Sequence, residues 1–283
     1  MPAPAADLQA LAASHDILAI GMLADEARQR MHGRRTTFVR VADVPVASNA
    51  PIVIGPSAGE VRLVGAPASC AEAIARVRTV AAAAGDVPLS AYSLADLELL
   101  TARESMTLRQ LLEELHAAGM ELVAEAPIDR LRDARRAIEE VNIAGLALAR
   151  LTVEQLPEGD IPSLLDQVSE LQRAVAVIRA FAPLPRRFNP SLPTTGYDDV
   201  KRVALARLFL ENVPSIQVDW ALYGPKLAQV ALTFGADDLD GVAPVDDLAE
   251  GPRRAARRDL ERQVRAAGFE PAERNGRFDL VIG

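Results

Sequence analysis

The sequence predicts an α/β fold in which parallel strands and outer helices alternate around a TIM-like barrel, partial or degenerate. Short runs rich in Val, Ile and Leu alternate with segments whose apolar residues recur at helical spacing, the units repeating every ~20–35 residues. Parallel strands need long crossovers of this kind, because a tight turn joins only antiparallel neighbours. Seven or eight such units favour a curled, TIM-like sheet over an open one. No linker interrupts the series. Residues 1–283 therefore read as a single domain, opened by a helix over 7–31 and closed by a helix and strand over 252–282.

Each element has a local reason. Leu8, Leu11, Ile17, Leu18, Ile20, Met22, Leu23 and Ala27 recur near the helical period, and Gly33 is a stop for that helix. TTFVRV at 36–41 reads as the first strand, and residues 42–59, rich in Pro, Ala, Ser and Gly, read as loop around the apolar run 52–54. Strands follow over 61–64, 87–92, 121–125, 146–151, 177–181, 216–222 and 239–242, with a last one over 277–282. Between them lie helices over 70–84, 94–101, 107–118, 129–142, 161–175, 198–212, 225–234 and 252–267. Gly85, Gly119 and Gly268 close three of them.

Composition narrows the function classes. Aromatics are only 4% of the chain, so Ala, Leu and Val must fill most of the core. A formal charge of −8 repels phosphate backbones and argues against nucleic acid as a partner. No apolar run reaches the ~18 residues of a membrane span. The N-terminal MPAPAADLQA lacks the basic and apolar regions of an export signal. A single cysteine, Cys70, can form no internal disulfide, and the expected compartment is the cytoplasm. The three histidines, His15, His32 and His116, are too far apart in sequence to form a ligand pair, so no metal site is expected.

The most specific stretch runs over 188–242, FNPSLPTTGYDDVKRVALARLFLENVPSIQVDWALYGPKLAQVALTFGADDLDGV. It contains a Thr-Gly-x-Asp-Asp helix start at Thr195, an Arg-Leu-x-Leu-x-Asn run ending at Asn212, and a Trp at 220. A Gly-x-Lys-x-Ala-Gln helix from Gly224 and a Gly-Ala-Asp-Asp-Leu element from Gly235 follow. DILAIGMLADEARQRMHG from Asp16, FAPLP from Phe181 and QVRAAGFEPAER from Gln263 accompany them. Together these resemble the radical S-adenosylmethionine (SAM) enzymes of the futalosine route to menaquinone, the aminofutalosine synthase and dehypoxanthine futalosine cyclase family. The resemblance spans nearly the whole chain and implies a β/α barrel.

The departures from the family pattern bear on chemistry. The resemblance places a Cys-x-x-x-Cys-x-x-Cys loop after the first strand, where this chain reads ADVPVASNAP without a cysteine. It implies a further helix there, but EVRLVG from Glu60 already matches the second strand. The family's Gly-His-x-Glu is here Leu151-Thr152-Val153-Glu154, so that only Glu154 stays and the His is lost, and its glycine-rich segment ending Gly-x-Ala-Glu is here changed to VAEAP around Glu125. A 4Fe–4S cluster normally takes three or four thiolates, so the cluster is expected to be lost and SAM binding is not expected.

Candidate binding residues follow from position. Glu154 succeeds a strand, where barrel enzymes place site residues; an exposed loop acid is the plainer alternative. Arg186 and Arg187 follow a Pro-Leu-Pro strand end and suit a carboxylate or phosphate, unless they are simply solvated. Trp220 either stacks on a ring or fills the core, and Lys226 and Gln229 either bind or bridge a helix to a loop. Asp237 and Asp238 are expected at the barrel's C-terminal mouth, accepting ligand hydroxyls or else bonding loop amides; Asp240 carries the same two readings. No Ser-His-Asp set and no phosphate loop is present, so no catalytic residue is assigned.

The expectation is therefore a radical SAM homologue without radical activity, acting in menaquinone biosynthesis. It would bind a pathway intermediate or an intact radical SAM paralogue. The alternative is a metal-free enzyme or a binding protein that uses the residual barrel pocket.

Overall fold

The computed structural model describes residues 5–48, 50–155, 161–187, 190, 194–245 and 257–281. Eight parallel staves close on themselves. They are β1 (Arg35–Pro45), β2 (Glu60–Val64), β3 (Leu89–Ser93), β4 (Leu122–Pro127), an interrupted stave made of β5 (Ala147–Leu148) and β6 (Leu151–Val153), β7 (Ala180–Pro185), β8 (Ser215–Asp219) and β9 (Asp238–Val242). The barrel closes where β9 pairs with β1, Asp238 opposite Thr37 and Val242 opposite Arg40. The expected barrel is thus present and complete.

Helices cover the outside: α1 (Ala5–Ala13), α2 (Ile17–His32), α3 (Cys70–Ala84), α4 (Leu94–Thr101), α5 (Leu108–Ala117), α6 (Ala134–Ile143), α7 (Ile161–Val175) and α8 (Gly196–Phe209). The last three are α9 (Trp220–Tyr223), α10 (Pro225–Leu232) and α11 (Arg257–Ala266). Their starts follow from capping chemistry. Thr195 accepts from the Asp198 amide while Asp198 reaches back to the Thr195 amide, so α8 begins two residues before the helix read from periodicity. Pro225 begins α10, where its missing N–H is no loss. Between β1 and β2 the described residues contain no helix, as the sequence match at Glu60 implied. Val44 and Val46 are buried there and Ile52 and Ile54 pack on the core, whereas Val53 points to solvent.

Three elements depart from the sequence reading. Trp220 begins the single-turn α9 and does not lie on a strand, because Asp219 caps that turn through the Leu222 amide. The predicted strand over 146–151 is broken, with β5 and β6 both pairing with β4. The closing strand is β10 (Glu270–Arg274), not 277–282, where Leu280 bridges back to Arg274 and the Val281 amide donates to the Glu273 carbonyl. The segment EPAER is polar and contains a proline, which hides it from a search for apolar strands, yet proline is tolerated at a sheet edge. β1 is long and β2 short, with β2 starting only opposite Val41. β10 fills the space this leaves beside Arg35–Val39. The expected helix start at 252 lies outside the described residues.

The N-terminal end of the barrel is held by charges. Asp238 is fully buried and accepts from Arg274 Nε and Nη2 at 2.6 Å each, from Gln217 Nε2 at 2.7 Å and from Thr37 Oγ1 at 2.5 Å. Arg274 in turn lies under the Phe278 ring, 3.8 Å from its centroid. Beside it, Asp237 accepts from Arg207 and from the Ile216 amide. Arg28, also fully buried, donates to the carbonyls of Ala236, Gly33 and Arg35, which fastens α2 to the start of β1. A buried carboxylate is tolerable only when its lone pairs are filled in this way.

Arg274→Met should therefore lower the unfolding free energy by about 3–5 kcal/mol, since it leaves a charged Asp238 with two of its four donors lost. Urea unfolding measures this. A loss of less than about 1 kcal/mol, the size of a surface pair, would contradict the assignment.

Candidate functional site

A strand sends alternate side chains to the same face. In this barrel several of the inward positions are polar: Glu60 and Arg62 on β2, Ser90 on β3, Glu125 on β4, Gln217 and Asp219 on β8, and Asp238 and Asp240 on β9. Arg150 joins them from the residue before β6. The register sets Gln217 opposite Asp238 and Asp219 opposite Asp240, so the acids at 238 and 240 occupy successive levels. TIM-type barrels more commonly fill these levels with branched apolar side chains.

Above the Asp238 level, Asp240 sits between two arginines. Arg62 donates to both its oxygens, at 2.9 Å and 2.8 Å, and Arg150 Nη1 donates to Oδ2 at 2.6 Å. Arg62 also donates through Nε to Glu60 at 2.9 Å, and Ser90 donates to the same Glu60 oxygen at 2.5 Å. Burial pushes the Asp240 carboxyl up, but Arg150 and Arg62 outweigh it and hold the group well below the usual carboxylate range. Burial likewise depresses both guanidinium groups. Asp240 and Glu60 overcome it at Arg62, which ends above its ordinary value. At Arg150 the charge of Arg62 adds to burial, and the group stays below.

The mouth opens at this level and above it. Arg186 donates to Asp219 at 3.0 Å and stands 3.4 Å from Glu125. Glu154 faces Arg187 at 3.6 Å and Arg130 at 3.9 Å, and burial raises its carboxyl pKa. Gly241 has a φ of +70°, and a side chain there would meet Asp219 Oδ1 at 2.8 Å, so only glycine lets β9 pass so close to that acid. Tyr92, at the end of β3, takes a φ of +59°, a costly conformation for a tyrosine. A cavity of about 530 Å³ opens among these groups, with Arg62, Glu125, Arg150, Glu154, Arg186 and Asp219 in its wall. The cavity keeps the mouth open even though apolar residues after β1 pack on the core.

The sequence-predicted residues divide by position. Glu154 and Arg186 line the cavity; Arg187 is mostly exposed and reaches the site only through Glu154. Trp220 is completely buried, with its indole Nε1 unpartnered. Lys226 is exposed on α10. Gln229 donates to the Gln263 carbonyl at 3.1 Å and bridges α10 to α11 on the barrel's outside. Asp237 and Asp238 are corrected in place: they lie at the N-terminal end of β9, below the level of Asp240, because β9 runs upward from them. Asp240 is the acid of that cluster that reaches the upper network. Sequence reasoning did not select Arg62, Glu125, Arg150 or Asp219. Their signal was polar residues two apart in otherwise apolar strands, as in EVRLV and SIQVD.

The residues present do not fit a 4Fe–4S cluster. Cys70 is the single thiol of the chain. It is buried at the start of α3, its amide donates to Glu104 at 3.1 Å, and burial together with Glu104 raises its pKa to about 11. Such a thiol stays protonated and ligates metal poorly. Among the described residues no group of three His, Cys, Asp or Glu side chains is arranged to hold a metal ion.

Comparison with known proteins accords with the motifs. Residues 186–281 match the family described as the CofH/MqnC C-terminal region. The chain is 39% identical over 94 residues to the aminodeoxyfutalosine synthase of Streptomyces coelicolor, covering 31% of this chain and 24% of that one. It is 27% identical over 226 residues to the aminodeoxyfutalosine synthase of Thermus thermophilus, covering 69% of this chain and 61% of that one. The chain thus spans less than two thirds of the length of these relatives. Methylornithine synthase superposes with a TM-score of 0.67 at 14% identity, over 96% of this chain and 95% of that chain, and shows the same barrel fold. The chain is similar to these synthases over the stretches that match, and it has one cysteine, Cys70.

The Asp240 arrangement has a pH signature. A carboxyl held below its unfolded value contributes stability that is complete above about pH 5 and is lost as pH falls from there toward the folded value. The wild type should lose stability more steeply than Asp240→Asn between about pH 5 and pH 2. Urea unfolding at a series of pH values tests this, and parallel slopes for the two proteins would count against it.

Proposed function

We propose that this chain acts in the futalosine route to menaquinone by binding a small pathway molecule at its barrel mouth, without performing radical SAM chemistry. It would do so in the cytoplasm. The observation that carries the reading is the mouth cavity, whose 530 Å³ falls in the range of small-molecule sites and whose wall brings together charged groups from several strands. The relatives support the pathway. The single thiol supports the loss of radical chemistry, since a cluster that leaves one iron open for SAM requires three thiolates.

Calorimetry with aminofutalosine and neighbouring intermediates tests the binding. Arg186→Ala should weaken it by about 1.5–3 kcal/mol, roughly tenfold or more, because a charge-assisted hydrogen bond is removed from the site. Gln229→Ala and Lys226→Ala should leave the affinity unchanged, since neither residue lies in the cavity wall. Binding that is lost in Gln229→Ala but intact in Arg186→Ala would relocate the site.

A second test addresses the cofactor. After anaerobic reconstitution with iron and sulfide, the protein should show no broad visible sulfide-to-iron charge-transfer absorption. Stoichiometric cluster iron would overturn the non-radical reading.

One observation favours a second reading, a metal-free reaction in the same pocket. Glu154 has its carboxyl pKa raised by burial at the edge of the cavity, which suits a group that holds or passes a proton. Turnover by the metal-free protein that disappears in Glu154→Gln would select this reading over binding alone.

A further inference from the structure

Arg150 is a buried charge that is only partly satisfied. Its residue is 3% exposed, and of its three guanidinium nitrogens only Nη1 makes a hydrogen bond, to Asp240. Nε has no partner, and Nη2 stands 3.8 Å from Glu125, beyond hydrogen-bond reach. Nε and Nη2 form one edge of the guanidinium plane. That edge is the fork that receives two oxygens side by side. Arg62, by contrast, uses all three nitrogens on Asp240 and Glu60. A buried donor left unpaired costs about 1–3 kcal/mol; Nε is one such donor, and Nη2 stands beside it on a side chain that lines the open mouth.

The electrostatics agree with the geometry. Arg62, Arg186 and Arg274 all end above their ordinary pKa despite burial, because carboxylates overcompensate each of them. Arg150 ends below: burial, then the charge of Arg62, outweigh Asp240, which it shares. The single carboxylate oxygen on Nη1 does not balance it. Glu125 does not complete the balance either, because it also leans toward Arg186 at 3.4 Å and its Oε2 makes no hydrogen bond at all.

We propose that the Nε/Nη2 edge of Arg150 is an anion subsite of the mouth cavity, taking the paired oxygens of a carboxylate or a phosphate carried by a small ligand. This rests on reading the mouth as a ligand site, and it adds the group that the ligand must carry and the atoms that receive it. Asp240 is then a positioning residue: by holding Nη1 at 2.6 Å it turns the other edge of the fork toward the cavity. Arg186 supplies a second positive charge at the same wall. Glu125 is the opposing element, a like charge that disfavours small anions without a hydrogen-bond donor for its free oxygen.

The test reads Arg150 directly in the intact chain. The arginine Nε–H signal that disappears in Arg150→Lys identifies the group in a nitrogen–proton correlation spectrum of the wild type. Titration with acetate and, separately, with inorganic phosphate should shift that signal saturably with one or both anions, at a dissociation constant of about 1–10 mM. Acetate alone marks a carboxylate subsite, phosphate alone a phosphate subsite, and both the shared chemistry. Glu125→Gln should tighten the anion severalfold by removing the like charge. No saturable shift with either anion, or weaker binding in Glu125→Gln, overturns the proposal and leaves water as the partner of the fork. The wild-type titration does not depend on how well Arg150→Lys folds. It is also independent of the pathway assignment: acetate that shifts Arg150 while no futalosine intermediate binds would sink the pathway reading alone.

Discussion

Two arginines share one buried aspartate near the middle of the barrel, and much of the architecture follows from keeping those three charges together. Asp240 is 1% exposed and Arg62 is 6% exposed, so neither can fall back on water if its partner moves. An ion taken out of water costs several kcal/mol even after relaxation, and only close partners in good geometry return it. Arg62 comes from β2, Arg150 from the start of β6 and Asp240 from β9, so the pairing ties staves from three parts of the barrel across its interior. A slip of one residue along any of these strands would turn a charge outward and leave its partner unmatched. A polar interior of this kind is therefore a register device as much as a source of stability. The uniformly apolar interior of many barrels enforces register less sharply, because one branched side chain replaces another at moderate cost.

The same constraint explains the end of the chain. Arg274 passes beneath β2 to reach Asp238, and β10 exists beside β1 because β2 starts too late to pair with Arg35–Val39. Gly276 lies close against Glu60 and Pro88, and its amide donates to the Gly59 carbonyl at 2.9 Å. The C-terminal segment thus plugs the barrel floor, and one guanidinium satisfies an acid that would otherwise be stranded there. The lower and upper networks are adjacent levels of one ladder: Asp238 and Asp240 stand two residues apart on β9, and Arg274 feels the charge of both.

The alternation of strands and helices was legible because each unit carries its own period, and the start of α8 was legible because Thr195 and Asp198 are close in sequence. Arg186 and Glu154 were placed at the mouth from their position just after strands, which topology alone decides. What stayed hidden depends on contacts between distant parts of the chain. Arg62 and Asp240 are 178 residues apart, and nothing local distinguishes their pairing from a surface charge. In Gly-Ala-Asp-Asp-Leu-Asp the three acids look equivalent. Only the register of β9 against β1 and β8 shows that two belong to the floor and the third to the upper network. Trp220 misled for a different reason: its apolar neighbours suit a strand, but Asp219 ends the strand by capping the next turn. The polar EPAER strand was missed because its place is an edge that another strand leaves vacant, and vacancy is a property of the neighbours.

Structure and site are not separable here. Asp240 holds one end of the Arg150 guanidinium and Arg150 lines the cavity, so a charge required to keep the barrel in register also sets the angle of the fork proposed to receive an anion. Asp219 has the same double duty, since it caps α9 through the Leu222 amide while it orients Arg186 at the mouth. Preorganisation of this kind has a physical advantage. The groups that fix the side chains are themselves rigid parts of the strands, so little entropy remains to be lost when a ligand binds. It also explains how this barrel can keep an ordered mouth without thiolates in the loop after β1. The interior ladder supplies fixed charges from the strands, and the loop residues Val44, Val46, Ile52 and Ile54 need only cover one side of the core. The charges of the mouth are then set by the strands and not by the loop, with Arg150 among them, held by Asp240.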